Sequence, residues 1–217
     1  IVLDKLGNIK LTDFGLSKEN VGEFSENKSF VGSIAYLAPE ILKKQAHHKS
    51  IDWYLTGVLL YEMLVGIPPY YNNNRKILFE NIREGPLRIP HTMSKVARDL
   101  ILNLLNRNPK RRMGASARDS EELKEHEFFK DVNWQDVADM KVRMPKIEVN
   151  KDIKMNPEAE TDFKMGEKTS EGTMNKVYKQ MKKDGGYEEV KAKDESNKVF
   201  QHDPTKMQNW SFVGELD

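Results

Sequence analysis

The tripeptide Asp13-Phe14-Gly15 is the first place in the chain where residue type and setting suggest chemistry. It follows a short apolar segment, so its carboxylate would stand at the end of a strand, beside a conformationally permissive glycine. Such a carboxylate is suitably placed to bind a hard cation, which prefers oxygen ligands. The alternative is structural, because the same tripeptide can simply close a hairpin. A second tripeptide, Ala38-Pro39-Glu40, follows further along the chain, and the two together are far more specific than either alone.

The segment from Ile51 to Val65 carries two further carboxylates. It is apolar nearly all round, which predicts a buried helix that Ser50 caps and Gly66 ends. Asp52 would lie in its first turn, where the helix dipole favours an acid. Glu62 would lie near its end, and because the burial of a lone carboxylate is expensive, we expect Glu62 to be paired.

Hydrophobic spacing predicts the elements that position these residues. Apolar residues on either side of Gly7-Asn8 predict a β-hairpin at the start of the chain. Helical spacing predicts amphipathic helices over 72–85 and 94–106, and a short last helix after Asp119 or Ser120. We therefore expect a fold that is mainly α with a short β-hairpin.

The chain changes character after residue 140. The stretch from 141 to 217 is poorer in apolar residues and richer in charge, and the Lys-rich run from Lys176 to Lys198 is interpreted as lacking hydrophobic periodicity. This composition predicts a solvated, flexible tether. Apolar residues return near the end of the chain and predict a binding segment there; they are Met207, Trp210, Phe212, Val213 and Leu216.

Charge and cysteine content exclude several classes of function. The net charge is only +1, so the sequence offers no strong field for nucleic acid or for a membrane surface. The absence of cysteine excludes disulfide scaffolds and thiolate zinc sites, and it favours the cytosol or the nucleus. No segment is long and apolar enough to cross a bilayer. His47 and His48 lack a third ligand at metal spacing, so we predict no zinc site.

The order and approximate spacing of several motifs resemble those of the C-terminal lobe of eukaryotic protein kinases. In that family the Asp-Phe-Gly and Ala-Pro-Glu motifs bound an activation loop. The matching motifs are Leu37-Ala38-Pro39-Glu40, Ile51-Asp52-Trp53, Tyr61-Glu62-Met63, Pro68-Pro69-Tyr70 and Asn108-Pro109-Lys110-Arg111-Arg112-Met113-Gly114. Residues 9–19, Glu127-Phe128-Phe129 and Val132-Asn133-Trp134 resemble the AGC group of serine/threonine kinases.

This resemblance implies a fold, a division of the chain and an activity. Residues 1–129 would be the large-lobe portion of the α+β kinase fold, and residues 130–217 would be the AGC tail. The activity would be transfer of the γ-phosphate of ATP to Ser or Thr of protein substrates, with ATP and Mg²⁺ required. The chain has no counterpart of the family's Gly-rich loop, paired strand Lys or catalytic-loop Asp. We therefore assign no catalytic residue and expect a fragment of a longer kinase, inactive alone.

The resemblance also assigns roles to individual residues. Asp13 would bind the metal, and Ser29 would be the activation-loop phosphosite, with Lys18 as one candidate partner of its phosphate. Glu40 and Arg112 would form a buried ion pair. The structural residues would be Phe14, Gly15, Lys18, Glu40, Asp52 and Arg112, of which Asp52 would accept hydrogen bonds from the catalytic-loop backbone. The substrate-binding residues would be Phe30, Ser33, Ile34, Leu37 and Glu62, of which Glu62 would meet a basic residue ahead of the target hydroxyl.

The tail would carry the hydrophobic motif of the group near residues 207–212. Met207, Trp210 and Phe212 would dock on the chain's own amino-terminal lobe, and Ser211 would be the phosphosite of this motif. The implied partners are protein substrates and an upstream activating kinase, without nucleic acid and without a membrane span. Two other hypotheses stay open: a non-catalytic kinase lobe that docks substrates or regulators, and a plain helical structural domain.

Overall fold

The computed structural model describes residues 1–4, 6–15, 17, 34–45, 48–142 and 170–191. Their elements, in chain order, are β1 (Val2–Leu3), β2 (Ile9–Lys10), a first 3-10 helix (Ile34–Tyr36), α1 (Pro39–Leu42), α2 (Ser50–Val65), α3 (Arg75–Arg83), β3 (Leu87–Pro90), α4 (Lys95–Leu104), α5 (Ser120–Lys124), a second 3-10 helix (Glu127–Phe129), α6 (Trp134–Ala138), α7 (Ser170–Lys183) and β4 (Tyr187–Val190). The described fold is mostly helical, with two small antiparallel sheets, β1-β2 and β3-β4. This confirms the prediction of a mainly α fold with a short hairpin.

The hairpin of β1 and β2 forms around the predicted turn. Asp4 holds this turn, because its carboxylate accepts hydrogen bonds from the backbone N–H groups of Leu6 and Asn8, each at 2.9 Å. The side-chain amide of Asn8 donates to the same carboxylate at 3.0 Å, and this bond is the largest reason why the pKa of Asp4 is lowered. The apolar side chains of the hairpin, Leu6 and Leu11 among them, stay exposed in the described structure.

Helix α2 begins one residue earlier than predicted, so Ser50 is its first helical residue and not its cap. Gly66 ends the helix as predicted, in the left-handed conformation at φ 91°. One side of α2, including Tyr54, packs into the core, whereas Met63 on another side is 67% exposed. The prediction of a helix buried all round is therefore wrong, because within the described fold only part of its surface is covered.

The two predicted amphipathic helices are present, and each begins at a side-chain cap. The carboxamide oxygen of Asn74 accepts from the N–H of Lys76 at 3.0 Å and caps α3. The hydroxyl of Ser94 accepts from the N–H of Ala97 at 3.1 Å and caps α4. Helix α3 starts later than predicted because Asn72 first forms a turn, accepting from the N–H of Asn74 at 2.8 Å.

Helices α2 and α4 pack together and both contribute residues to the main core. The buried residues of this core are Ala38, Tyr54, Val58, Tyr61, Tyr70, Leu78, Ile82, Leu87, Ile89, Ile101 and Leu105. A smaller cluster on the other side of α4 joins it to α5; its buried members are Leu100, Leu104 and Leu123. Helix α5 begins at Ser120 as predicted, but it is not the last helix, since α6 and α7 follow.

The prediction of a flexible tether over Lys176–Lys198 is wrong wherever the structure describes this run. Residues 170–183 form α7, and residues 187–190 form β4, which pairs with β3. Val177, Tyr178 and Met181 are partly or fully buried along α7, and Met181 is only 5% exposed. Their spacing is helical, so the periodicity is present in the sequence but is masked by the lysines between them.

Candidate functional site

The structure brings Glu40 and Arg112 together as a bidentate ion pair. Arg112 Nη1 donates to Glu40 Oε1 at 2.7 Å, and Arg112 Nη2 donates to Glu40 Oε2 at 2.9 Å. The two side chains are 1% and 0% exposed, respectively. Arg112 is satisfied further by the carbonyl oxygens of Ser50 at 2.8 Å and Asn106 at 3.0 Å. The pair therefore ties the start of α1 to the start of α2 and to the loop after α4.

The ring of Tyr54 lies under this ion pair, with its centroid 4.9 Å from the guanidinium carbon of Arg112. This arrangement is a buried cation–π contact, which adds to the electrostatic stabilisation of the arginine. The hydroxyl of Tyr54 is buried and has no hydrogen-bond partner in the described structure. Burial raises the pKa of Tyr54 well above its ordinary value.

Asp52 lies in the first turn of α2 and stays exposed. No described residue donates a hydrogen bond to its carboxylate. Partial desolvation, followed by the nearby carboxylate of Asp119, raises the pKa of Asp52. Both effects disfavour the charged form of the Asp52 carboxylate.

Asp119 forms a polar network beside Asp52 that sequence reasoning missed. Its carboxylate accepts from Lys49 Nζ at 3.0 Å and from Trp53 Nε1 at 2.7 Å. Desolvation opposes the charged form of Asp119, but these two hydrogen bonds outweigh it and lower the pKa. The i, i+4 spacing of Lys49 and Trp53 was a signal that they share a helix face, but nothing local indicated that an acid so distant in sequence would meet them.

Glu62 is paired, as its position near the end of α2 led us to expect. The hydroxyl of Tyr36, in the first 3-10 helix, donates a hydrogen bond to Glu62 Oε2. Burial and this bond to Glu62 raise the pKa of Tyr36. Leu37 follows directly and is buried, and Ile34 begins the same 3-10 helix. Residues 34–37 are thus held against the carboxyl-terminal half of α2.

Asp13, Phe14 and Gly15 lie after β2 and are exposed. Asp13 has a left-handed backbone at φ 63°, which is uncommon for a residue with a side chain. Its carboxylate has no hydrogen bond or ion pair with any described residue. The carbonyl of Phe14 accepts from the N–H of Ser17 at 3.0 Å and from its hydroxyl at 2.6 Å, which forms a tight turn.

The described residues connect only some of the candidate residues. Glu40 pairs with Arg112 and Glu62 accepts from Tyr36, whereas the carboxylates of Asp13 and Asp52 accept no hydrogen bond from any described residue. The remaining candidates lie outside the described residues; they are Lys18, Ser29, Phe30, Ser33, Met207, Trp210, Ser211 and Phe212.

The donor set fits a single carboxylate contribution to a Mg²⁺ site. No cluster of three or more His, Cys, Asp or Glu side chains in the described ranges could hold a metal ion alone. Mg²⁺ is often bound by one or two carboxylates, with substrate phosphates and water completing an octahedron. The exposed carboxylate of Asp13, which no described residue engages, matches that requirement. No helix in the described part of the chain has the length and apolar character needed to cross a bilayer.

Comparison with known proteins gives the family. The model of the protein kinase domain matches residues 1–129. The RAC-beta serine/threonine-protein kinases of Rattus norvegicus and Homo sapiens are 43% identical over 145 residues, which are 67% of this chain and 30% of each relative. The RAC-beta serine/threonine-protein kinase A of Xenopus laevis is 41% identical over the same length. The chain therefore matches about 30% of the length of these relatives.

Asp13, Glu40, Asp52, Glu62 and Arg112 all lie inside the segment that the kinase model matches. The RAC-beta kinases are members of the AGC group, so the predicted resemblance to that group is confirmed. The match covers more than half of the chain, and the chain belongs to the protein kinase domain family.

Proposed function

We propose that this chain is the large-lobe and tail portion of an AGC-type protein serine/threonine kinase. The protein that contains it would transfer the γ-phosphate of ATP to Ser or Thr residues of protein substrates. The observation that carries this proposal is the buried Glu40–Arg112 pair, with both guanidinium nitrogens on one carboxylate at 2.7 and 2.9 Å. It fixes one end of the segment that begins after Asp13, as positioning of a substrate-binding segment requires.

Asp13 would hold Mg²⁺ against the phosphates of ATP. When bound there, Mg²⁺ neutralises charge on the phosphate oxygens during transfer. Asp13 is prepared for this role by its exposed carboxylate, which no described residue engages, and by its left-handed backbone at φ 63°. Such an unfavourable conformation is typical of residues at functional sites.

Glu62 would select the protein substrate. Its carboxylate lies on α2, where Tyr36 orients it through a hydrogen bond. We infer that Glu62 binds a basic side chain ahead of the target hydroxyl. Leu37, which is buried among the described residues, would belong to the same substrate-binding surface. Phe30, Ser33 and Ile34 complete this proposed surface.

Phosphorylation would regulate the protein at two sites. We propose Ser29 as the activation-loop site, with Lys18 pairing with its phosphate, and Ser211 as the site in the hydrophobic motif. An upstream kinase would modify Ser29. Met207, Trp210 and Phe212 would dock on the amino-terminal lobe of the same protein. The cytosol or the nucleus is the proposed location.

The test uses the intact polypeptide recovered from cells with an antibody against the Trp210 segment. Transfer of labelled phosphate from ATP is measured on two peptides that differ only in an Arg or an Ala two positions before a serine. We expect transfer that EDTA abolishes, and a preference for the Arg peptide that Glu62→Gln reduces roughly tenfold. If the intact polypeptide transfers no phosphate in MgATP, the non-catalytic docking lobe replaces the kinase as the better hypothesis.

A further inference from the structure

The tail segment of residues 170–191 packs on the edge strand β3. Strand β4 pairs with β3 in antiparallel register over four residues, from Leu87 opposite Val190 to Pro90 opposite Tyr187. The N–H of His91 extends the contact by donating to the carbonyl of Gly186 at 3.0 Å. Within the described residues, β4 is the strand that completes the main-chain hydrogen bonding of β3.

Arg88, in the middle of β3, contacts three side chains of this segment. Its guanidinium carbon lies 5.1 Å from the ring centroid of Tyr178 and 5.6 Å from that of Tyr187. Its Nε donates to Glu189 Oε1 at 3.0 Å. One arginine therefore contacts an aromatic ring and an acid on β4, and a second ring on α7.

Arg98, on α4, recognises a second acid. Its Nη2 donates to both carboxylate oxygens of Glu188, at 2.9 and 3.0 Å. The rim of β3 thus presents two arginines, and β4 presents two consecutive acids after an aromatic residue. This charge complementarity, together with main-chain pairing, is the recognition chemistry of a strand-addition peptide site.

The tail segment buries few apolar side chains of its own. The ion pairs of Arg88 and Arg98 involve side chains that are 36–48% exposed, and pairs of this kind contribute little. Among residues 175–190, Met181 is the one apolar residue whose side chain is fully buried. Segments with few buried apolar contacts open locally more readily than the core.

We propose that the edge of β3, flanked by Arg88 and Arg98, is a docking site for an extended acidic peptide of another protein. The peptide would carry an aromatic residue followed by two acids, and Tyr187–Val190 is the resident, exchangeable occupant. The stretch of chain between Val142 and Ser170 keeps this occupant tethered, so it competes at high effective concentration. The site acts independently of phosphoryl transfer.

The experiment measures binding of a fluorescent peptide with the sequence of residues 185–191 to the full chain. In Glu188→Lys/Glu189→Lys the chain's own strand is weakened while β3 is unchanged. We expect this variant to bind the peptide at least roughly tenfold more tightly than the wild type, because the tethered competitor is removed. Adding Arg88→Ala to the double variant should weaken peptide binding at least roughly tenfold, because it removes the guanidinium that would contact the peptide without giving the altered strand a new ion-pair partner. Lys182→Glu/Lys183→Glu, which changes exposed charges on α7, is the matched control and should bind as the wild type does.

Equal binding by the wild type and the double variant would overturn the proposal. If the double variant fails to fold, amide exchange of the wild type decides instead. The amides of residues 187–190 should then exchange at least about a hundredfold faster than the amides in the middle of α4. Equal rates would show that β4 does not leave β3 while the core stays folded. If the wild type dimerises and the double variant does not, the occupant of the site is a second copy of this chain. That result would overturn the proposal that a peptide of another protein binds there.

Discussion

Arg112 has no exposed surface on its side chain, yet its guanidinium donates four hydrogen bonds. Glu40 takes two of its hydrogen bonds, the carbonyls of Ser50 and Asn106 take two others, and the ring of Tyr54 covers one face. A buried charge is tolerable only when its partners are all in place. The geometry at this residue therefore predicts a large penalty for removing either member of the pair.

Arg112→Met should lower the free energy of unfolding by about 3–5 kcal/mol, because it leaves the buried Glu40 carboxylate without a partner. Urea denaturation of the full chain measures this loss. Lys110→Met is the control, since Lys110 is an exposed neighbour whose side chain makes no described hydrogen bond, and it should change stability by less than about 0.5 kcal/mol. An Arg112→Met variant as stable as the control would contradict a buried ion pair.

Two buried tyrosines predict opposite effects of the same substitution. The hydroxyl of Tyr54 has no described partner, whereas that of Tyr61 donates to the carbonyl of Arg88 at 2.5 Å. Tyr54→Phe should be neutral or stabilising by up to about 1 kcal/mol, since it removes an unsatisfied buried group. Tyr61→Phe should cost about 1–2 kcal/mol, because it leaves a carbonyl unsatisfied. Thermal unfolding of both variants compares them, and equal losses would refute the assignment.

At the scale of elements, the loop after α4 meets α2 at a point that only glycine allows. Gly114 has φ 81°, and a Cβ there would lie 2.5 Å from Nε1 of Trp53. Gly185, between α7 and β4, has φ 105° but no atom within 4 Å of the added Cβ. A substitution at Gly185 therefore measures the free-energy cost of the backbone conformation alone. A substitution at Gly114 measures that cost together with the cost of a steric clash.

Gly114→Ala should destabilise the chain by about 2–4 kcal/mol, through backbone strain together with overpacking against the indole of Trp53. Gly185→Ala should cost only about 1 kcal/mol, from backbone strain alone. Urea denaturation curves of the full chain measure both losses in the free energy of unfolding. Equal effects at the two positions would mean that contact with Trp53 does not restrict the loop.

Helix boundaries could be predicted where the signal is local. Gly66 ends α2 as the sequence indicated, because it acts through backbone groups within a few residues. The helix predicted from residue 94 begins at Lys95, with Ser94 as its cap. Helix α7 was missed because lysines separate its apolar residues. Strand β4 was missed because its partner β3 lies far earlier in the chain, and no local pattern reports such a pairing.

The same limit applies to the candidate site. The family resemblance predicted that Glu40 pairs with Arg112, and the structure contains this pair. No rule of local spacing could predict a contact between two residues so far apart in sequence. Burial cost alone predicted that Glu62 needs a partner, but it could not name Tyr36. The Lys49–Asp119–Trp53 network depends on tertiary approach and had no sequence signal of its own beyond the shared helix face of Lys49 and Trp53.

For the molecule as a whole, buried tyrosines set the response to alkaline pH. Burial raises the pKa of Tyr54, Tyr61 and Tyr70 above the ordinary value of 10.0. Their folded-state pKa values exceed the unfolded ones, so this stabilisation is fully present below pH 10 and is lost as the pH rises through the raised values.

The free energy of unfolding should therefore fall as the pH rises above 10, by on the order of 1 kcal/mol per pH unit for each such tyrosine, because the unfolded chain ionises it first. Tyr54→Phe removes one of these groups and should make the fall shallower. Denaturation curves between pH 8 and 11 measure both slopes. Identical slopes for the wild type and Tyr54→Phe would show that Tyr54 is not protected from ionisation by burial.

We propose that Asp13 belongs to the phosphoryl-transfer site of a protein kinase. The most direct measurement is phosphate transfer from MgATP to a serine peptide by the intact polypeptide that contains this chain. Asp13→Ala should reduce the rate at least about a thousandfold, because the metal would lose its carboxylate. Asp131→Ala, which removes an exposed carboxylate with no described hydrogen bond, should leave the rate unchanged. Full activity in Asp13→Ala, with the metal still required, would contradict the claim.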